Sequence, residues 1–274
     1  ISLIQIDLSS KSDEGDSSQD RLSTLFRTLI SSLTQLELKM INVKRYVVSS
    51  ALALFFTTTL NAQVGLNYDF NVQDPAAFLY TMNSYMATEE ASRSGATVIL
   101  RQNLANGSQG TTHNLAVIWP DYASMQSSLT ANAMSQTWSA FISSIGNAAT
   151  QVGNSMFAAT GLSTGNASVV TAPNQVRRFI NFTVEPHNAG AYVEELQELW
   201  ESCDDSVHQA LYQITGTGEL GWTHAVVQTA ANLGDLLDGT ACDSDATTGF
   251  FASVSNIREV KYDFVAADMM IWQP

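Results

Sequence analysis

Of the four histidines in the chain, His113 and His224 share a setting: each follows a threonine and opens an apolar run, and they are 111 residues apart. An imidazole titrates near neutral pH, so a symmetric pair can move protons or ligate a metal or haem. His113 and His224 are therefore the candidate catalytic residues. No carboxylate stands at a fixed spacing to orient either ring. The competing expectation is a threonine and histidine pair hydrogen-bonded at the end of a strand.

A second set comes from alternation. Asn67, Asp69 and Asn71 interleave with Leu66, Tyr68, Phe70 and Val72, and an offset of 112 aligns them with Phe179, Asn181 and Thr183. Arg101 aligns with Tyr212 at an offset of 111. If the apolar faces pack under helices, Asn67, Asp69, Asn181, Arg101 and Tyr212 line the space between sheets as a ligand-binding set. Plain solvent exposure of one sheet face is the alternative. Asp238, Asp243 and Asp245 lack the alternation and closing Glu of a calcium loop, so no metal site is expected. No Gly-rich phosphate loop, Gly-x-Ser-x-Gly elbow, Cys-x-x-Cys or His-Glu-x-x-His is present, which removes hydrolases and nucleotide enzymes of those types and leaves no cofactor expected.

The elements that must position these residues are duplicated. Phe70-Asn-Val matches Phe182-Thr-Val, Thr112-His113 matches Thr223-His224, and Phe141-Ile-Ser matches Phe251-Ala-Ser, at offsets of 112, 111 and 110. Common order and near-constant spacing predict tandem repeats over 63–160 and 176–274, joined by a Gly/Ser/Thr/Asn-rich linker at 161–175. Each repeat reads as β-α-β-β-α-β. Strands are expected at 65–72, 98–103, 114–119 and 152–159, then at 178–184, 207–214, 222–228 and 259–272. The helices expected between them run over 75–92 and 121–145, the latter broken near Asn132, then 189–202, 231–237 and 246–256. Asp74 and Pro75 supply a cap and a first-turn residue for the first of these.

Met40 to Gln63 reads as a secretory signal peptide: Lys44 and Arg45, then an uncharged run from Tyr46 to Leu60, then Ala62 at a cleavage point. The apolar run is shorter than the roughly 20 residues of a spanning helix. On that reading residues 1–39 are an upstream translated segment, residues 40–62 are the signal peptide, and the mature protein is periplasmic or secreted. All of the net charge of −14 falls in residues 63–274, because the preceding 62 residues carry equal numbers of acidic and basic side chains. Such a surface repels phosphate backbones and anionic lipid. The expected partners are thus a small-molecule ligand, no nucleic acid, and no membrane after cleavage, with the chain a monomer or homodimer. In an exported chain two cysteines most simply form one bridge, Cys203 to Cys242.

Two consecutive ferredoxin-like units in this order resemble the dimeric α/β-barrel superfamily in its fused form. The resemblance rests on element order across most of 64–272. It implies an α+β fold in which two antiparallel sheets face each other, helices cover the outside and a pocket lies between the sheets. Members include cofactor-free monooxygenases, haem-binding and haem-degrading proteins, and domains without assigned chemistry. The leading expectation is an exported protein that binds a small molecule between the sheets. The alternatives are a cofactor-independent oxygenase or isomerase using His113 or His224, and a structural or protein-interaction module. A lined cavity favours the first two, and a filled inter-sheet core favours the third.

Overall fold

The computed structural model describes residues 63–217, 221–238 and 241–274. The upstream segment and leader expected over 1–62 lie outside the described residues. The first repeat runs β1 (Val64–Val72), α1 (Pro75–Met86), α2 (Glu89–Arg93), β2 (Thr97–Ala105), β3 (His113–Trp119), α3 (Tyr122–Ala133), α4 (Gln136–Ala148) and β4 (Ala149–Thr164). The second runs β5 (Val176–Val184), α5 (Ala189–Glu201), β6 (His208–Thr215), β7 (His224–Ala230), α6 (Leu233–Leu237), α7 (Ser244–Val254) and β8 (Arg258–Trp272). Among the described residues no helix is long and apolar enough to cross a membrane.

Local chemistry sets the helix ends. Asp74 accepts from the Ala77 amide at 3.0 Å, with Pro75 in the first turn of α1. Where one helix to Ser92 was expected, Thr88 interrupts: its hydroxyl accepts from the Ala91 amide and starts α2 afresh. Ser135 does the same between α3 and α4, accepting from Trp138 N at 2.9 Å. A short polar side chain that satisfies an orphan amide restarts a helix at little cost.

The sheets pair β4-β1-β3-β2 and β8-β5-β7-β6, all antiparallel. They do more than face each other. β2 pairs with β8 and β4 with β6, so the two sheets close edge to edge into one eight-stranded barrel. Closure removes the unpaired edges that two separate sheets would present. It also explains why β4 runs to Thr164, taking the first residues of the segment expected as linker: the extra length pairs Ser163 and Thr164 with Ala210 and Gln209.

The duplication is visible in detail. The register shifts between Asp69 and Phe70 on β1 and between Asn181 and Phe182 on β5, at equivalent positions. Two helix-sheet cores form outside the barrel, one around Phe78, Met82, Leu100 and Phe141, the other around Phe182, Tyr192, Leu196 and Phe250. Full burial of each such side chain contributes about 1.5–3 kcal/mol. The match of Phe141 to Phe251 is displaced by one residue, because Phe250 enters the second core while Phe251 is 54% exposed.

Candidate functional site

Thr112 and Thr223 make the same bonds in both repeats. Each hydroxyl accepts from a strand amide, Val72 N at 2.8 Å and Val184 N at 3.1 Å. Each also bonds its neighbour's imidazole, His113 Nδ1 at 2.9 Å and His224 Nδ1 at 2.8 Å. The rings share strand faces with Leu115 and Val226, under the helices: His113 lies beside Phe78 and His224 over Phe182, with centroids 6.0 and 5.9 Å apart. Both imidazoles are thus on the outside of the barrel, each in its own repeat. The two imidazoles, candidate catalytic residues, therefore do not meet in one site, because their strand parity points them away from the barrel axis.

Burial lowers the pKa of His113, His224 and also His208 below the ordinary 6.5. An imidazole with a depressed folded pKa contributes stability that is complete above about pH 6.5 and is lost as pH falls through the folded value, since the unfolded chain binds the proton first. Urea midpoints are expected to drop between about pH 7.5 and pH 5, and the double variant His113→Gln, His224→Gln should flatten that drop. An equally steep profile in the double variant would show that other groups govern it.

The barrel interior holds the other set. Asn67, Arg101, Asn181 and Tyr212 face a common interior void of about 70 Å³. Asp69 joins through a relay: Asn114 donates to Asp69 Oδ1 at 3.0 Å and accepts from Arg101 Nη1 at 2.7 Å. Burial raises the Asp69 carboxyl above its usual value, opposed by Asn114 and Arg101. Asp268 lies between two arginines, taking Arg101 Nε at 3.2 Å and Arg177 Nε and Nη2 at 2.9 and 2.7 Å. Burial, with Arg177 adding to it, pushes Arg101 down to about 10. Stacked rings occupy the remaining space: Phe179 on Phe264 at 4.5 Å, Phe264 on Tyr262 at 5.1 Å, and Phe157 edge-on to Tyr212 at 5.6 Å. A void of this size has room for only a few waters and is far below the roughly 300–1,000 Å³ of ligand pockets. The expected pocket between the sheets is therefore almost filled.

Larger spaces lie between sheet and helices. In the first repeat an apolar slot of about 110 Å³ is walled by Tyr68, Phe78, Tyr85, Trp138 and Phe141, and at one end Trp119 Nε1 and Ser128 Oγ are buried without hydrogen-bond partners. In the second repeat the corresponding slot is about 300 Å³, between β5, β7 and β8 and helices α5, α6 and α7. Leu196, Val226 and Phe250 supply its apolar walls, and Gln209, Tyr192 and Arg258 are among its polar groups, together with the ion-paired Arg178 and Asp263. Burial pushes the Tyr192 phenol up to about 12, with Arg258 opposing the shift. Arg258 is the polar group beside that hydroxyl. A still larger hollow of about 870 Å³ near Pro120 is an open groove lined largely by serines and other short polar side chains. Its apolar residues, Pro120, Ala123, Ala131 and Met134, are interspersed with these polar ones, and the groove is open to solvent.

Cys203 and Cys242 are bonded, tying the end of α5 to the segment before α7. The Asp204 amide donates to Ala241 O and the Asp243 amide to Ser202 O on either side. Cys242 borders the second slot.

No sequence-family model matches the chain, and no curated protein matches it. Solved structures do. A candidate monooxygenase from Fusobacterium nucleatum aligns over 77% of this chain and 94% of its own, at 12% identity and TM-score 0.55. An anthrone oxidase-like protein aligns over 78% and 93%, at 9% identity and TM-score 0.54. A candidate monooxygenase from Lactobacillus acidophilus aligns over 77% and 96%, at 9% identity and TM-score 0.51. The chain has the fused dimeric α/β-barrel fold. At these identities the likeness concerns the fold alone.

Within this α/β barrel, sequence reasoning missed Arg177, Asp268, Tyr192 and Arg258. One signal was available for Asp268, a lone carboxylate inside the apolar strand Phe264 to Trp272, where an unpaired charge is untenable. Arg258, at the boundary of a strand, carried none.

Proposed function

We propose that this protein is an exported small-molecule binder whose ligand occupies the helix-sheet slot of the second repeat rather than the space between the sheets. The observation that carries the reading is the slot itself: about 300 Å³, mostly apolar, with the buried Tyr192 hydroxyl and the Arg258 guanidinium side by side at its wall. Ligand sites combine an apolar bed with a few convergent polar groups. The leader pattern and the disulfide support export. The filled barrel interior favours an interaction module over an inter-sheet ligand, but it leaves the slot outside the barrel untouched. The oxygenase alternative draws on neighbours named as monooxygenases or oxidase-like proteins. Neither His113 nor His224 borders either slot.

The test is titration with the uncharged fluorophore phenylnaphthylamine. Saturable binding at one site is expected. Thr247→Trp, which puts a large ring on the slot wall, should weaken it at least tenfold, and Ile142→Trp on the first slot should not. Binding that ignores Thr247→Trp would place the ligand elsewhere.

A further inference from the structure

Arg258 opens β8 on its helix-facing side, paired in register with Val184. Its guanidinium carbon lies over four rings: Phe250 at 5.4 Å, Phe182 and Phe251 at 5.5 Å, and Tyr192 at 5.9 Å. Aromatic faces hold a cation by their quadrupoles and leave its N–H groups free for an anion at the edge. No carboxylate pairs with Arg258 among the described residues. The acidic groups of the slot are committed elsewhere. Asp263 holds Arg178 with Nε to Oδ1 at 3.0 Å, and Asp235 accepts from Asn232 Nδ2 at 2.8 Å. In a chain with twenty-six acidic residues against twelve basic ones, an arginine surrounded by rings and lacking a carboxylate is a conspicuous reserve of positive charge.

The first repeat acts as an internal control. There the strand residue paired with Val72, the counterpart of Val184, is Ala149. The first slot accordingly has no cation at that end. The two slots share an architecture and differ in charge.

We infer that the second slot selects amphipathic monoanions, molecules with an aromatic or apolar body and one carboxylate or sulfonate group, with Arg258 holding the anionic end. The inference rests on the proposed ligand site in this slot. The body lies on Val226, Leu196 and Phe250, and the Tyr192 hydroxyl provides a further donor beside the guanidinium. That phenol is protonated at neutral pH, as a donor must be, and burial moves its pKa still further from neutrality, to about 12. Registry along β5 puts Arg258 at the Val184 end of the slot, and the Arg178 and Asp263 pair lies several residues along, toward α6. The anion therefore has one place to go, and the ligand one orientation.

Two probes with the same aromatic body separate the claims: anilinonaphthalene sulfonate and the uncharged phenylnaphthylamine, titrated into the whole protein at about 0.15 M salt, where long-range repulsion from the acidic surface is screened. The sulfonate is expected to bind about tenfold more tightly. Arg258→Met should weaken the sulfonate about tenfold and the neutral probe less than twofold, abolishing the preference. Arg258→Gln serves if the Met variant does not fold. Equal affinity for the two probes in the native protein, or an equal loss of both in the variant, overturns the anion selectivity while leaving the slot as a binding site. Binding of neither probe, or binding indifferent to Thr247→Trp, overturns the site and the selectivity together.

Discussion

Replacing Asp268 with Asn is expected to lower folding stability by about 3–5 kcal/mol, because it leaves two buried guanidinium groups without their shared counter-charge. The Asp268 side chain is 1% exposed, and those of Arg101 and Arg177 are each 4% exposed. Water cannot take over the role of the carboxylate. A loss of that size is a large part of the roughly 5–15 kcal/mol that holds a typical domain together, so the variant should be near unfolding at ambient temperature. Urea unfolding followed by circular dichroism measures it. Replacing the whole triad with apolar residues, Arg101→Met, Arg177→Met and Asp268→Leu, should be much milder than the single change, because no charge is then stranded. If the single variant loses under about 1 kcal/mol, the barrel interior is wetter than its packing implies.

Removing the Cys203–Cys242 bridge by Cys203→Ser and Cys242→Ser is expected to cost roughly 4 kcal/mol, the chain-entropy value for a loop of about 40 residues. The bridge does more than shorten the unfolded chain. Cys242, Ala241 and Leu236 all border the second slot, so releasing the loop should also weaken probe binding there. Non-reducing peptide mapping of exported protein is expected to recover the linked pair, and the melting temperature should fall on reduction. Free thiols in promptly alkylated exported material would overturn both the bridge and the oxidising compartment on which it depends.

The candidate site was legible only in part, and the reason is geometric. Alternation along β1 correctly separated Tyr68 and Phe70, which pack under helices, from Asn67 and Asp69, which turn inward, because strand parity is a local property of the backbone. The same parity holds for His113 and His224. Each stands two residues before an apolar core position, Leu115 or Val226, and therefore faces the helices with it. Their equivalence in sequence marks a repeated strand-end hydrogen bond and says nothing about proximity.

What the sequence determined by itself was order and direction: the repeated β-α-β-β-α-β plan, the capped helix start at Asp74, and which residues of each strand share a face. These follow from hydrogen bonds and periodicities spanning a few residues. The tertiary structure alone decided what lies between those faces. Edge pairing of β2 with β8 and of β4 with β6 drew the barrel closed, and closure brought Arg101, Arg177 and Asp268 together from segments 91 and 167 residues apart from the carboxylate. Side-chain volume then filled the interior that the resemblance had left open for a ligand. The usable space remained outside, where α5 and α7 stand off the sheet and the rings of Phe182, Tyr192, Phe250 and Phe251 surround Arg258. Whether a cavity survives depends on how large side chains from distant segments pack against one another, and no local pattern encodes that.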